Sequence, residues 1–150
     1  MIKEKIKKVF SVKPRMLELS MSEVCIFSKE VFEDAQIGYR VDDDGVKIKD
    51  WIGEEYYVIG DDSMCGDPII VKSDEPELPI YFMAHDDWNS LEKIANSVED
   101  FAKILKMIGK VDWTQENQVN ELKDKINAIT PENSYWDSLI RVEYENINEE

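Results

Sequence analysis

Hydrophobic residues change their spacing along this chain, and each change predicts a change of element. Ile2, Ile6, Val9 and Phe10 recur at helical spacing and predict a short amphipathic N-terminal helix that stops before Pro14. From about Glu23 to His85 the period shortens to two, and β-branched and aromatic residues dominate. Gly38-Tyr39-Arg40-Val41 and Val46-Lys47-Ile48 flank Asp42-Asp43-Asp44-Gly45. That arrangement predicts a hairpin, because Asp and Gly accept the dihedrals of a tight turn. Tyr56–Gly60, Pro68–Val71 and Pro79–Ala84 predict three further strands. The connecting loops are too short for a parallel crossover, so these strands are expected to be antiparallel.

After Trp88 the spacing becomes helical again. Ser97 with Asp100 resembles a capping box, followed by Val98, Phe101, Ala102 and Leu105 on one face and Gly109 as a C-terminal stop. Thr114 opens a second helix with Val119, Leu122, Ile126 and Ile129 on its buried stripe and Pro131 beyond its end. A third starts near Ser134 and buries Trp136, Leu139 and Ile140. The predicted class is α+β: a central antiparallel sheet over about residues 23–85, with helices packed on one face or end. A short N-terminal helix precedes the sheet and three helices follow it. With no Gly/Ser linker, repeat or low-complexity run, residues 1–150 read as one domain.

Composition narrows the partners. The net charge is −15, and residues 30–100 carry 20 acidic against 5 basic side chains, so the middle of the chain holds the excess. Such a field disfavours nucleic acid and anionic membrane as partners and favours fast capture of a basic protein surface. No apolar run approaches the ~18 residues of a membrane span, and no apolar signal core follows the basic residues at the start, so the expected location is cytoplasmic. Cys25 and Cys65 form no Cys-x-x-Cys pair; the expectation is two buried, reduced thiols.

Searches for chemistry along the chain find little. An EF-hand loop beginning at Asp42 would need Gly where Lys47 stands and Glu where Gly53 stands. His85-Asp86-Asp87 invites a phosphohydrolase reading, but such sites gather several histidines and this chain has one. Adjacent carboxylates, such as Glu54-Glu55 or Asp61-Asp62, are expected by chance among 33 acidic residues. Gly60 and Gly66 have no accompanying Lys to cradle phosphate. No catalytic residue, metal or cofactor is therefore expected. A catalytic alternative would have to centre on His85 meeting Asp86, Asp87 or another carboxylate.

The segments Tyr56–Asp62, Cys65-Gly66-Asp67-Pro68-Ile69-Ile70-Val71, Pro79–His85, Trp88 and Ile94-Ala95-Asn96-Ser97 with Phe101 resemble, in order and spacing, the SUKH superfamily. The resemblance spans residues 51 to 107. It implies a non-enzymatic protein-binding domain, commonly an immunity protein that binds and neutralises a cognate bacterial toxin domain such as a nuclease. A regulatory or scaffolding module, as in the yeast cell-wall synthesis regulators of the superfamily, is the alternative. The matching residues Gly66, Asp67, Pro68, His85, Trp88 and Ser97 read as scaffold: Gly66 supplies an unusual backbone shape, Asp67 accepts backbone N–H groups and Pro68 opens a strand. The toxin-binding surface is predicted at Asp42, Asp43, Asp44, Glu54, Glu55, Asp61 and Asp62, with Trp51 and Tyr56 as aromatic anchors.

Overall fold

The computed structural model describes residues 1–131 and 133–149. The strands β1 (Met16–Glu18), β2 (Glu23–Ile26), β3 (Tyr56–Asp62), β4 (Asp67–Lys72), β5 (Ile80–Ala84) and β6 (Asp87–Ala95) form one sheet in sequence order. Every neighbouring pair is antiparallel. The helices are α1 (Ile2–Lys5), α2 (Phe32–Ala35), α3 (Val98–Lys110), α4 (Glu116–Ile129) and α5 (Ser134–Asn148). This is an α+β fold, as the spacing predicts.

Alternation along the central strands gives the sheet two apolar faces. Ile59, Ile69, Val71, Ile80 and Ile94 face one way and share a core with Phe101, Ile104 and Leu105 of α3 and Trp136 and Ile140 of α5. Val58, Ile70 and Met83 face the other way, under the long β2–β3 connection. On the helix side, Trp136 is fully buried and donates its indole N–H to the Ile94 carbonyl at 2.6 Å, which ties α5 to the last strand. The Ser97 hydroxyl accepts from Asp100 N at 3.0 Å and caps α3, while Asn133 accepts from Trp136 N at 3.1 Å and caps α5.

Several sequence expectations need correction. The sheet begins at Met16, earlier than residue 23, and ends at Ala95, beyond residue 85. Residues 87–95 form a strand where a helical pattern was expected, because Ile80, Tyr81, Phe82 and Ala84 supply a complete antiparallel partner for it. The hairpin expected over residues 38–48 is reduced to isolated bridges, Ile37 with Val41 and Val41 with Lys47, although the Asp-Gly turn between them forms. The N-terminal helix breaks after one turn, and Lys7–Ser11 wind as a 3-10 helix. Ile6, Val9 and Val12, three apart and all buried, line up only at that tighter pitch. Gly109 lies inside α3, which ends one residue later as Val111 turns extended and packs back on the core. Thr114 caps its own turn by bonding Asp112, and α4 starts at Glu116.

Gly60 marks the tightest point of the sheet. It pairs with Ile26 next to an irregularity in the β3–β4 register, and a Cβ there would lie 2.2 Å from the Cys25 carbonyl oxygen. Backbone on two strands cannot yield to that contact. Gly60→Ala is therefore expected to destabilise the fold by about 3 kcal/mol, at the upper end for single substitutions, measured as a fall in the urea midpoint at unchanged slope.

Candidate protein-binding face

The β2–β3 connection covers the second face of the sheet through a few polar anchors. Gln36, buried at the end of α2, accepts from Val58 N at 3.0 Å and donates to Val58 O at 2.8 Å and Phe32 O at 2.9 Å. Its amide thus satisfies Val58 on both sides, as a neighbouring strand would. Arg40 lays its guanidinium 3.7 Å over the Tyr57 ring centre and donates to the carbonyls of Glu54 and Tyr56. Trp51 donates its indole N–H to Tyr56 O at 3.1 Å.

These anchors place an aromatic cluster on the outside of the cover. Trp51 and Trp88 meet edge to face at 5.4 Å, and Tyr39 lies within 6.1 Å of both. All three are half-buried: each ring is fixed by packing and still presents surface. Tyr56 and Tyr81 make a second edge-to-face pair at 5.4 Å. The cluster has an acidic border. The Tyr39 phenol is pushed above its ordinary pKa by burial and then by the charges of Asp61 and Asp67.

The predicted acidic residues do not form one continuous surface. Asp42, Asp43 and Asp44 are exposed at the turn, where Asp42 Oδ1 accepts from Asp44 N at 2.9 Å and Val46 N at 3.0 Å. Glu54 is exposed and paired with Lys47 at 2.9 Å, a bond that also holds its carboxyl below the ordinary value. Glu55 is half-buried, with its carboxylate folded over Gly53. Asp61 and Asp62 alternate across the sheet: Asp61 is half-buried beside Tyr39, whereas Asp62 is buried and accepts from Glu23 N at 3.0 Å and Met64 N at 3.1 Å. Asp62 thus organises the β3–β4 turn, which corrects its expected place on the partner-facing surface. Trp51 and Tyr56 are half-buried anchors.

The scaffold motif has a geometry of its own. Gly66 adopts φ of 76°, in the region where side chains are strained, and turns the chain into β4. Asp67 then spans two turns: Oδ1 accepts from His85 N at 3.0 Å and from the His85 ring at 2.7 Å, and Oδ2 accepts from the Cys65 thiol at 3.1 Å. Trp88 closes the same turn by donating its indole N–H to His85 O at 3.0 Å. Cys65 is exposed and Cys25 half-buried, both as free thiols, which corrects the expectation that both are buried. Because Asp67 stands between Cys65 and His85, the imidazole cannot take the thiol proton. Burial, and then the Asp67 bond, push the Cys65 thiol up to about 11, away from a nucleophilic thiolate. Among the described residues, no group of three or more His, Cys, Asp or Glu is arranged to hold a metal ion.

Tyr39, Gln36, Arg40 and Cys65 complete this region: the sequence reading places Tyr39 and Arg40 only in a strand and Cys65 only as a buried thiol, and it gives Gln36 no role. A single polar residue in a stretch without period carries no signal of what it will touch.

The Asp67 bond raises the His85 pKa above its ordinary value. Burial alone would raise the Asp67 carboxyl, but the bonds from His85 N–H, Cys65 and the His85 ring outweigh it and hold the carboxyl low. The histidine side of this pair stabilises the fold fully below the ordinary histidine range and fades as pH rises through the raised pKa. The aspartate side is present above the ordinary carboxyl range and is lost as pH falls through the lowered pKa. Asp67→Asn is expected to bring the His85 titration midpoint, followed by NMR, back down towards the ordinary value; an unmoved midpoint would remove the pair from this account. Compared with known proteins, the chain matches no family model, no curated protein and no solved structure.

Proposed function

We propose that this chain is a non-catalytic immunity protein that binds a basic surface of a cognate toxin domain, such as a nuclease cleft, and occludes it. The observation that carries the reading is the half-exposed cluster of Tyr39, Trp51 and Trp88 with Asp61 and Asp67 beside it. Rigid aromatics at the centre of a patch supply affinity, while surrounding carboxylates steer a cationic partner and set the salt dependence. The acids at residues 42–44 are exposed at a turn of their own and add to the negative field that a cationic partner meets. The motif running from Cys65 to Ser97 supports the immunity assignment in particular, through its resemblance to the SUKH superfamily. Among the described residues, no helix is long and apolar enough to cross a membrane.

Co-expression with the toxin genes beside its own tests the reading directly: the chain should protect the cell and co-purify with one toxin, and failure on both counts ends the proposal. Binding kinetics then separate the roles of the residues. Trp51→Ala should accelerate dissociation about tenfold or more, as expected for a central aromatic, with a thermal melt showing that the variant remains folded. Replacing Asp42, Asp43 and Asp44 together by Asn should instead slow association and flatten its salt dependence. Asn at position 42 retains the oxygen that holds the turn, so the fold should be unaffected. Unchanged kinetics in the triple variant would mean that the acidic turn is only solvated surface.

A further inference from the structure

A cavity of about 650 Å³ opens on the helix side of the sheet, between the β3–β4 turn, β5, β6 and α5. Among the described residues its charged lining has one sign: Asp62, Asp67 and Glu92 line it, and no lysine or arginine does. Each of these carboxylates is fixed in place by neutral donors or by His85. Asp62 accepts backbone amides, and Glu92 accepts from Ser134 N at 3.2 Å and Ser134 Oγ at 2.6 Å. Asp67 is paired with His85, and among the described residues neither Asp62 nor Glu92 meets a lysine or arginine within ion-pair distance. Phe82, Leu139 and Val142 give the remaining wall an apolar surface.

A second observation is independent of the carboxylates. Tyr135, from the first turn of α5, packs its ring on Phe82 at 4.2 Å and on Trp136 at 4.8 Å. Its hydroxyl is buried and, among the described residues, has no hydrogen-bond partner. Burial, followed by the charges of Asp62, Cys65 and Asp67, raises the phenol pKa far above its ordinary value, so the oxygen keeps its proton. Unpaired buried hydroxyls are disfavoured in folded proteins and persist where something else satisfies them. This one lies at the acidic wall.

We propose that the cavity binds an organic cation: a guanidinium or primary ammonium whose N–H groups meet the Asp62, Asp67 and Glu92 carboxylates and the Tyr135 hydroxyl, with its aliphatic stem along Phe82, Leu139 and Val142. Charge complementarity, the absence of a competing basic side chain, and an amphipathic lining suited to such a stem converge on this class. The group can belong to a basic side chain of a bound protein or to a free diamine. The cavity shares Asp67 with the acidic border of the aromatic cluster, whereas Glu92 and Tyr135 belong to the cavity alone, so variants at those two residues test it apart from the immunity reading.

Calorimetry on the full chain decides it, with Nα-acetyl-arginine N-methylamide as the side-chain probe and butane-1,4-diamine as the free amine. At least one probe should bind with one-to-one stoichiometry. Binding should weaken about tenfold in Glu92→Gln, which removes a charge and keeps an acceptor for Ser134. It should weaken about fivefold in Tyr135→Phe. Tyr135→Phe should at the same time raise the melting temperature of the free protein, since it deletes an unsatisfied group, and a merely structural tyrosine would not show that opposition. The triple Asn variant at residues 42–44 should bind as the native chain does. A tighter arginine derivative assigns the site to a partner's side chain, and a tighter diamine assigns it to a free metabolite. The proposal is overturned if neither probe binds, or if Glu92→Gln and Tyr135→Phe bind both probes as well as the native chain.

Discussion

Pro68, Ile69, Ile70 and Val71 are four consecutive buried residues in the middle of an antiparallel sheet, and the rest of the architecture answers to them. A strand that is apolar on both faces obliges the chain to cover both. On one side the cover is regular: α3 and α5 lay Phe101, Ile104, Leu105 and Trp136 across the strands. On the other it is a long irregular connection, which has no periodic apolar stripe and holds its position through Gln36, Arg40 and Trp51. An irregular cover seals less completely. Its aromatics Tyr39, Trp51 and Trp88 remain partly wet.

The acidity of the chain also has a structural share. Asp42, Asp62, Asp67, Asp87 and Asp112 each accept at least one backbone N–H at a turn or strand end. Short connections between antiparallel strands leave such donors without ladder partners, and a carboxylate nearby in sequence, as Asp87 and Asp112 are, or brought there by the fold, as Asp62 and Asp67 are, is a compact acceptor for them. Part of the charge of −15 is thus bound up in turn construction. What remains free on the surface is less than composition alone implies.

How much was legible follows from which interactions are local. The spacing of Val98, Phe101 and Leu105, and of Val119, Leu122 and Ile126, located α3 and α4 to within about two residues, since helix faces are written into short windows. β6 was misread because Asn89, Ser90 and Lys93 interrupt its apolar run, and only its pairing with β5 makes it a strand. Three-residue β1 is too short for any period to show. The turn at Asp42–Gly45 was legible from its residue types, but the flanking residues found few ladder partners. At the candidate site, Trp51 was legible as an aromatic in an acidic stretch. Its neighbours Tyr39 and Trp88 come from other parts of the chain, and the contact of Asp67 with His85 spans eighteen positions. Asp61 and Asp62 illustrate the limit most directly: adjacent in sequence, they are sent to opposite faces by the pleat.

The order of elements along the chain has a consequence for how the protein is made. All six strands emerge from the ribosome before α3, α4 and α5, which carry most of the helix-side core. At synthesis rates of about 5–20 residues per second, the roughly fifty residues that follow β6 take several seconds to arrive. During that interval Ile59, Ile69, Val71, Ile80 and Ile94 have no helices to meet, and the nascent sheet presents an open apolar face to its surroundings. The short β1 edge and the polar residues along β6 limit the edge-to-edge pairing that such an intermediate invites. Trp136, which joins α5 to β6, then makes completion of the sheet's cover contingent on the synthesis of α5.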